Sequence, residues 1–500
     1  MRISRKTFLH LTAASATAAL LPSPADAGQA KSKKVEKTAI KGTTDALTSF
    51  ITKTELRSMP ADVVEQAKRC LVDGFGVILA GSTVKGSAIV REYVRTVSDR
   101  KEATAIGSSG FMTSAAHAAL INAASGHAMD YDDTQLSTTP DRTFGLLTHP
   151  TVPALAAALA VAERKRASGA AFLEAFLVGF EVECKIAEAI DPEHYTRGFH
   201  STGTIGTFGA AAAAAKLMNM PAGAVRHMLT IASSMSSGLR VNFGSMTKPL
   251  HAARAAENGI VAAELASRGF TGGDEGLDGR WGFFEVFGGG VDLDRLIPVL
   301  GRPYTIVNPG SSFKPYPCGS LSHPTMDAML KAVTEHDLKP DQIKAVRVRA
   351  GSNILEPLRY KIATNELEAK FSLPFLMSSL IIRRKAGVRE FTDEFVASAP
   401  VQQMMPRVTN VFDPKIEAQG FDKIRSVIEI DLSDGRKLVQ ASDDRYRGGP
   451  DRPFTREELR EKFTDCAQLT LNQARIARAL DQIEDVDRIK DVSELVKTLA

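Results

Sequence analysis

The chain has 500 residues, of which 44% are hydrophobic and 24% are charged. This length predicts more than one domain, and the composition is typical of a globular protein. The formal net charge of +4 is small, and basic residues are not interleaved with aromatic ones. The sequence therefore does not indicate nucleic-acid binding.

The N-terminus has the pattern of a secretory signal peptide. Basic residues at Arg2, Arg5 and Lys6 precede a short Ala-rich apolar stretch, and residues 25–27 (ADA) form an A-x-A cleavage signal. The apolar stretch is too short for an ordinary membrane span. The segment SRKTFL resembles a twin-arginine motif but carries Lys6, so both the twin-arginine and the Sec routes stay open. We expect an exported, periplasmic protein that has no membrane span after cleavage.

Helical periodicity dominates the chain from about residue 44 onward. Residues 61–79 place apolar side chains at helical spacing, with Pro60 and Gly81 as end signals. Further helices are predicted over 115–129, 151–166, 170–189, 203–218, 324–336 and 373–384, and again from Thr455 to the end. Many of these segments are rich in Ala, whose small side chain allows close packing in a large bundle.

Strand-like alternation occurs in two segments after residue 300. Residues 346–350 and 426–432 alternate apolar and polar side chains, as half-buried strands do. Residues 433–436 predict a hairpin turn into a further strand over 437–440. A module of helices and strands therefore lies within a mainly helical chain.

Four cysteines are far apart and form no CxxC pair: Cys70, Cys184, Cys318 and Cys466. This spacing argues against a zinc knuckle, a redox pair and an iron–sulfur cluster, and it favours separate thiols, with one disulfide still open. The chain also lacks HExxH, GxSxG, GxGxxG and Walker A motifs. Nucleotide, flavin, zinc-protease and serine-hydrolase functions therefore have no support.

Polar residues suited to chemistry cluster at predicted junctions between loops and helices. The segments are GHAMDYDDT (126–134), THP (148–150), FHST (199–202), TKPLH (247–251) and FKPYPCG (313–319). The three carboxylates of DYDD are costly to bury without partners, and they do not form an EF-hand because Gln135 replaces its glycine. Ser201 and Thr202 are expected to cap a helix whose N–H groups hold an anion, and Lys248 is expected to precede an Ala-rich helix.

Taken in order, these segments and their surroundings resemble the MmgE/PrpD family from about Thr44 to the end. The resemblance implies a mainly α fold, in which a large all-helical domain is interrupted by a smaller α+β lid domain. It also implies a homodimer and an active site between the domains, without metal, nucleotide or other cofactor. The expected domain plan is a signal peptide at 1–27, a basic linker at 28–43, helical segments at 44–310 and 452–500, and the lid at 311–451.

Family motifs carry over to particular residues of this chain. The catalytic candidates are Asp130, His149, His200, Lys248 and Lys314. The candidates for substrate binding are Thr134, Ser201, Thr202, His251, His323 and Tyr360. One departure concerns Gly319, where the cis-aconitate decarboxylases of the family have a histidine.

The resemblance implies a lyase that removes a proton next to a carboxylate of a small di- or tricarboxylic acid. We predict elimination of water, as in 2-methylcitrate dehydratase, with Lys248 and Lys314 as carboxylate clamps. Asp130 and His149 are the base and the acid, in either order. Decarboxylation of the cis-aconitate type and epimerisation or isomerisation of a related acid are the alternatives. A non-catalytic exported carboxylate-binding protein and a structural protein on an enzyme scaffold also stay open.

Overall fold

The computed structural model describes residues 42–136, 148–420 and 423–500. The predicted signal peptide and the predicted linker up to residue 41 lie outside the described residues. In the described part helices predominate over a few short strands, so the prediction of a mainly α fold is confirmed. No helix in this part combines the length and the apolar character that crossing a membrane requires. The predicted domain boundaries stay predictions.

Helices of seven or more residues are numbered α1 to α14. They are α1 Thr43–Lys53, α2 Ala61–Gly81, α3 Lys85–Val97, α4 Ala115–Ala128, α5 Thr151–Lys165, α6 Gly169–Ile190, α7 Gly206–Leu217, α8 Ala222–Met235, α9 Thr247–Ser267, α10 His323–Glu335, α11 Leu373–Arg383, α12 Arg456–Ala467, α13 Gln473–Glu484 and α14 Ser493–Leu499. Shorter α-helices span Glu193–Thr196, Ser201–Thr204, Ser352–Leu355, Glu366–Ala369, Asp393–Ala397, Ala399–Met404 and Pro414–Glu417.

The helical core is built on close approach between Ala- and Gly-rich helices. Helix α7 packs against α5, α6 and α9, and most of its residues are buried. At the crossing of α7 and α9, a Cβ added to Gly259 would lie 2.5 Å from the Cβ of Ala210. A side chain added to Gly206 would likewise overlap Pro153, and a side chain added to Gly209 would overlap Glu183. The glycines of this segment therefore form a packing face.

The strands form two sheets. A short antiparallel pair joins β1 Ala103–Thr104 to β2 Met112–Thr113. The larger sheet has the order β4-β3-β5-β6, with β3 Ile343–Ala350, β4 Val408–Phe412, β5 Ser426–Leu432 and β6 Lys437–Ala441. Strand β3 is parallel to β4 and antiparallel to β5, and β5 and β6 form the predicted hairpin.

One face of the larger sheet is covered by helices. Helix α10 contacts β5 and β6, and α11 contacts α10 and β4. Alternate residues of β5 are buried, because successive side chains of a strand point to opposite faces. These elements share a hydrophobic core that is separate from the core of the helical part.

The C-terminal helices return to the first part of the chain. Helix α12 packs against α2, and Lys462 on α12 forms a buried ion pair of 2.6 Å with Asp73 on α2. Lys462 also donates a hydrogen bond of 2.8 Å to the carbonyl oxygen of Tyr131. The end of the chain thus supports the loop that contains the DYDD motif.

Some local structure differs from the sequence-based expectations. Helices α3 and α8 and strand β4 were not among the predicted elements. The helix predicted over 203–218 is interrupted at Ile205, which separates the short helix Ser201–Thr204 from α7. All four cysteines are buried, unpaired thiols, which confirms the preferred interpretation.

Candidate functional site

A pocket lies where the loop after α4, the start of α5 and the start of α9 meet the segment 314–321. All five predicted catalytic residues line it, and so do three of the six predicted substrate-binding residues. The lining residues are Asp130, Thr134, Thr148, His149, Tyr195, His200, Ser201, Thr202, Phe243, Lys248, Lys314, Gly319, Ser320, Leu321, Pro357, Leu358 and Phe371.

Asp130 is the centre of a buried ionic cluster. It follows the end of α4 with a positive φ of 50°, which turns the chain away from the helix axis. Its Oδ1 atom accepts hydrogen bonds from Lys248 Nζ at 2.7 Å and from Lys314 Nζ at 2.6 Å. Burial raises the pKa of Asp130, but the two ammonium groups outweigh burial and hold the pKa well below its usual range. Asp130 is therefore an ionised carboxylate.

The two lysines differ in their free hydrogen-bonding capacity. Lys314 Nζ donates to Asp130 Oδ1, to Asp130 O at 2.9 Å and to Cys318 O at 3.2 Å, and these bonds use all three of its N–H groups. Lys248 Nζ donates to Asp130 and contacts His127 Nε2 at 3.0 Å, which leaves one N–H group. Lys248 lies in the first turn of α9 rather than before the helix, which corrects the expectation from sequence.

His127 and Asp132 form a second buried pair behind Lys248. Both side chains are inaccessible to solvent, and His127 Nδ1 lies 2.8 Å from Asp132 Oδ2. Since the carboxylate accepts the Nδ1 proton, the Nε2 atom of His127 is left to accept a hydrogen bond from Lys248. Sequence reasoning missed this pair, although the spacing of five residues within GHAMDYDDT was a usable signal.

His149 presents an unpaired ring nitrogen at the pocket. Its Nδ1 atom donates to the carbonyl oxygen of Asp133 at 2.9 Å, so the neutral ring carries its lone pair on Nε2. No described residue forms a hydrogen bond to that Nε2 atom. Burial, aided by Lys314, lowers the pKa of His149 well below 6.5, although Asp132 opposes the shift. His149 is therefore neutral at pH 7 and able to accept a proton.

His200 has a buried ring nitrogen without a partner. Its Nδ1 atom lies 2.9 Å from Nδ1 of His251, and one of these two nitrogens must carry the shared proton. Its Nε2 atom has no hydrogen-bond partner among the described residues. Burial and the charge of Lys248 keep the pKa of His200 well below 6.5. When His251 donates the shared proton, Nε2 of His200 carries hydrogen and is a donor into the pocket.

Three hydroxyl groups predicted to bind substrate also line the pocket. Thr134 Oγ1 lies 3.3 Å from Ser320 Oγ and 3.3 Å from His149 Nδ1. Thr202 Oγ1 accepts a hydrogen bond from the backbone N–H of His149. Ser201 and Thr202 do not cap a helix as predicted, because His200 occupies the N-cap position and they begin the short helix themselves.

The other three predicted binding residues do not line the pocket. His251 is behind His200 and contacts it. His323 is buried between the hydroxyl of Tyr446 and the carbonyl oxygen of Cys318. Tyr360 packs against Gly244, and its hydroxyl lies 3.5 Å from the carbonyl oxygen of Phe243. The positions of these three residues indicate support of the pocket wall rather than contact with a ligand.

The imidazoles of His127, His149 and His200 form a group of potential metal ligands. One nitrogen of each lies within 4.8 Å of the others, which is close enough for three ligands of one ion. However, the Nε2 atom of His127 is engaged by Lys248, and two ammonium groups repel a cation at this place. The donor set therefore fits a proton-transfer site better than a metal site.

The fold and the pocket together define a mainly helical protein with a pocket lined by lysine, aspartate and histidine side chains. Family models for the MmgE/PrpD N-terminal domain and the MmgE/PrpD C-terminal domain match residues 45–296 and 316–486. The chain belongs to the MmgE/PrpD family.

Curated relatives match nearly the whole chain. A cis-aconitate decarboxylase of Homo sapiens is 26% identical over 470 residues, which cover 92% of this chain and 95% of the relative. The cis-aconitate decarboxylase of Mus musculus is also 26% identical, over 92% of this chain and 94% of its own length. A cis-aconitate decarboxylase-like protein oryM of Aspergillus oryzae is 25% identical, over 91% of this chain and 97% of its own length.

Proposed function

We propose that this chain is a lyase that acts on a small carboxylic acid by moving a proton next to a carboxylate. Elimination of water, of the 2-methylcitrate dehydratase type, is the first candidate reaction. Membership of the MmgE/PrpD family and the names of the relatives support a lyase. The observation that carries the proposal is the unpaired Nε2 atom of His149 in the same pocket as the one remaining N–H group of Lys248.

In this proposal His149 is the base and Lys248 binds the reacting carboxylate. His149 Nε2 removes a proton from the carbon next to the carboxylate, and the N–H of Lys248 stabilises the negative charge that develops on the carboxylate oxygens. The bond from the neighbouring carbon to the hydroxyl breaks, and His200 Nε2 supplies the proton that converts the leaving hydroxide to water. When the product leaves, His149 loses the proton it has taken up and His200 regains its own by exchange with solvent, so both rings return to the neutral form.

Asp130 is assigned a positioning role rather than the role of base. A carboxylate whose pKa is held well below 3.8 binds a proton too weakly to remove one from carbon at neutral pH. Its Oδ1 atom instead fixes the positions of Lys248 and Lys314. The proposal therefore departs from the sequence-based pairing of Asp130 and His149 as base and acid, because it gives the role of acid to His200.

Decarboxylation is the second candidate reaction, and the names of the relatives favour it. Loss of carbon dioxide leaves a carbanion that needs a proton, and the Nε2–H group of His200 is the donor proposed for it. The same pocket residues would serve both reactions. Incubation in deuterated water with NMR detection separates them, because dehydration releases water from a hydroxy acid whereas decarboxylation releases carbon dioxide and places deuterium on carbon.

Substitution of the proposed base and anion-binding group tests the proposal. We expect His149→Ala and Lys248→Ala to lower kcat by about 10²-fold or more, since a positioned general base contributes about 10²–10⁴-fold. The assay is product formation by NMR from a panel of hydroxy and unsaturated di- and tricarboxylic acids, with circular dichroism to verify the fold. His227→Ala, a histidine outside the pocket, is the matched control and should retain full activity.

Two results would contradict the proposal. Full activity of either pocket variant would remove the assignment of the residue concerned. Binding of acids by the wild-type chain without turnover or deuterium exchange would favour the non-catalytic carboxylate-binding protein instead.

Export and dimer formation are further proposals. The pattern of residues 1–27 supports export to a periplasm, and the family resemblance supports a homodimer. Cell fractionation with N-terminal sequencing of the mature chain tests the first, with a cytosolic, uncleaved chain as the contrary outcome. Light scattering of the purified chain tests the second, and a monomer at micromolar concentration would refute it.

A further inference from the structure

The turn after α4 is held by lysine side chains that come from distant parts of the chain. Lys370 Nζ donates a hydrogen bond of 3.1 Å to the carbonyl oxygen of Ala128, the last residue of α4. Lys314 Nζ donates in the same way to the carbonyl oxygen of Asp130, at 2.9 Å. The proposed reaction uses Lys314 as a partner of Asp130, whereas it assigns no role to Lys370.

Lys370 connects the two hydrophobic cores of the molecule. Its chain neighbours Ala369 and Phe371 belong to the core of the larger sheet, whereas Met129, next to the bonded carbonyl group, belongs to the core of the helical part. The Lys370 residue is only 2% exposed, and it forms an ion pair with Glu366 one helical turn earlier. Burying an ammonium group is costly unless it is paired and hydrogen-bonded. The contact with α4 is therefore a specific feature rather than the incidental contact of a surface lysine.

The end of α4 is an unfavourable place for a carboxylate. Carbonyl groups in the last turn of an α-helix have no partner within the helix, and together with the helix dipole they make this end negative. Asp130 is the second residue after α4 and adds an ionised carboxylate there. The ammonium group of Lys370 binds one of these carbonyl groups and offsets the dipole. Lys248 and Lys314 then remain for the carboxylate itself.

The backbone of Lys370 contacts another side of the pocket. Its carbonyl oxygen accepts a hydrogen bond of 3.1 Å from the N–H of Gly319, a lining residue in the segment that contains Lys314. The next residue, Phe371, also lines the pocket, and its ring centroid lies 5.8 Å from Lys248 Nζ. Lys370 therefore joins the end of α4, through its side chain, to the segment that carries Lys314, through its backbone.

We infer that Lys370 is a positioning residue, which fixes the end of α4 and thereby keeps the carboxylate of Asp130 between Lys248 and Lys314. This inference rests on the proposed function, in which Lys248 binds the reacting carboxylate, and adds to it a residue that acts without touching the substrate. Without Lys370 the buried carbonyl group of Ala128 loses its donor, which is unfavourable, and the turn shifts to find another one. The carboxylate of Asp130 then moves away from at least one of its two lysines.

A matched pair of variants, Lys370→Met and Glu366→Gln, tests the inference. Both remove the ion pair between the two side chains, but only Lys370→Met removes the hydrogen bond to α4, because methionine has no donor. Crystal structures of both variants give the distances from Asp130 Oδ1 to Nζ of Lys248 and Lys314, which are 2.7 and 2.6 Å in the wild type. We expect at least one of these hydrogen bonds to be lost in Lys370→Met and both to be retained in Glu366→Gln.

Kinetics of the same pair give the functional readout. Lys370→Met should lower kcat/KM by about tenfold or more, since a misplacement of about 1 Å can cost about 10²-fold, whereas Glu366→Gln should stay close to the wild type. The alkaline limb of the pH profile should also move to lower pH in Lys370→Met, because a displaced Asp130 no longer raises the pKa of Lys248. If the methionine variant does not fold by circular dichroism, Lys370→Gln replaces it, since its shorter side chain keeps a polar partner for Glu366 without reaching α4.

The crystal structures separate failure of this inference from failure of the proposed function, because they require no turnover. Displacement of Asp130 in Lys370→Met alone, with no acid converted by the wild type, would preserve the positioning role and overturn the lyase. Turnover by the wild type with Asp130 in place in Lys370→Met, or with equal effects of the two variants, would overturn the inference and leave the lyase intact. A merely structural Lys370 would lower Tm without moving Asp130 or the alkaline limb, and that result also overturns the inference.

Discussion

At the scale of single residues, the charges behind the pocket control the residues that line it. Asp132 does not face the ligand space, but it binds His127, and His127 in turn accepts a hydrogen bond from Lys248. Burial lowers the pKa of Lys248, while the charges of Asp130 and Asp132 oppose that shift. Asp132 therefore helps to keep Lys248 protonated and correctly oriented at neutral pH.

The variant Asp132→Asn should move the alkaline limb of the pH profile of kcat/KM to lower pH. The physical reason is that loss of the Asp132 charge lowers the pKa of Lys248 further. The wild-type limb itself should lie below pH 10.5, since the pKa of Lys248 is already lowered from that value. Glu163→Gln is the control and should leave the limb unchanged, because Glu163 is a largely buried carboxylate that bonds Thr104 instead of the pocket residues. An alkaline limb at the same pH in Asp132→Asn and wild type would show that Asp132 is only structural.

The sequence was informative about the residues that line the pocket and less so about those behind it. Asp130, His149, His200, Lys248 and Lys314 occur in short motifs at the ends of helices, and the fold brings these ends together. The pairing of His200 with His251, and the bonds of Lys314 to Asp130, depend on distances between segments far apart in the chain. Periodicity and motif spacing do not contain those distances.

At the scale of elements, local signals at the helix ends explain why the long helices were predictable. Segments such as α5 and α6 are bounded by clear signals, for example Pro150 before α5 and the capping hydroxyl of Ser168 before α6. Strand β4 was harder to predict, because it is a short edge strand with exposed residues, and its parallel partner β3 is distant in sequence. The hairpin of β5 and β6 was easier, because its turn is local.

A pair of Gly→Ala substitutions tests the importance of the crossing between α7 and α9. We expect Gly259→Ala to destabilise the protein by about 1–3 kcal/mol, because the new Cβ overlaps Ala210. Gly223→Ala, at a site with open space, should be neutral or stabilise by up to about 1 kcal/mol. Chemical denaturation measures both free energies of unfolding. Equal effects of the two substitutions would show that the crossing is not tightly packed.

At the scale of the whole molecule, buried carboxyl groups make stability depend on pH. Burial raises the pKa of Asp133 to about 7, although the hydroxyl of Ser311 opposes the shift. Burial also raises the pKa of Glu181 to about 7. Because the folded state binds these protons more tightly than the unfolded state, folding stability falls as the pH rises from about 4 to 7. Above pH 7 these groups are ionised in the folded state as well, and the free energy of unfolding is reduced by the full amount that their burial causes.

The variant Asp133→Asn should therefore gain stability relative to wild type as the pH rises. Asn resembles the protonated acid and can keep hydrogen bonds to the N–H of Thr151 and to the hydroxyl of Ser311. Thermal unfolding at pH 5 and pH 8 gives the difference in Tm between variant and wild type. We expect this difference to be more positive at pH 8. An identical difference at the two pH values would mean that Asp133 has no raised pKa in the folded state.

The contact of Lys462 with Asp73 and Tyr131 has a consequence for synthesis of the chain on the ribosome. All the residues that line the pocket have been translated once residue 371 is added. Lys462, which pairs with Asp73 and donates a hydrogen bond to the carbonyl oxygen of Tyr131, is translated about ninety residues later. Until then the nascent chain contains an unpaired charge within its largest core, which is unfavourable. We therefore expect the ability to bind ligand to arise only after release of the C-terminus, rather than progressively during translation.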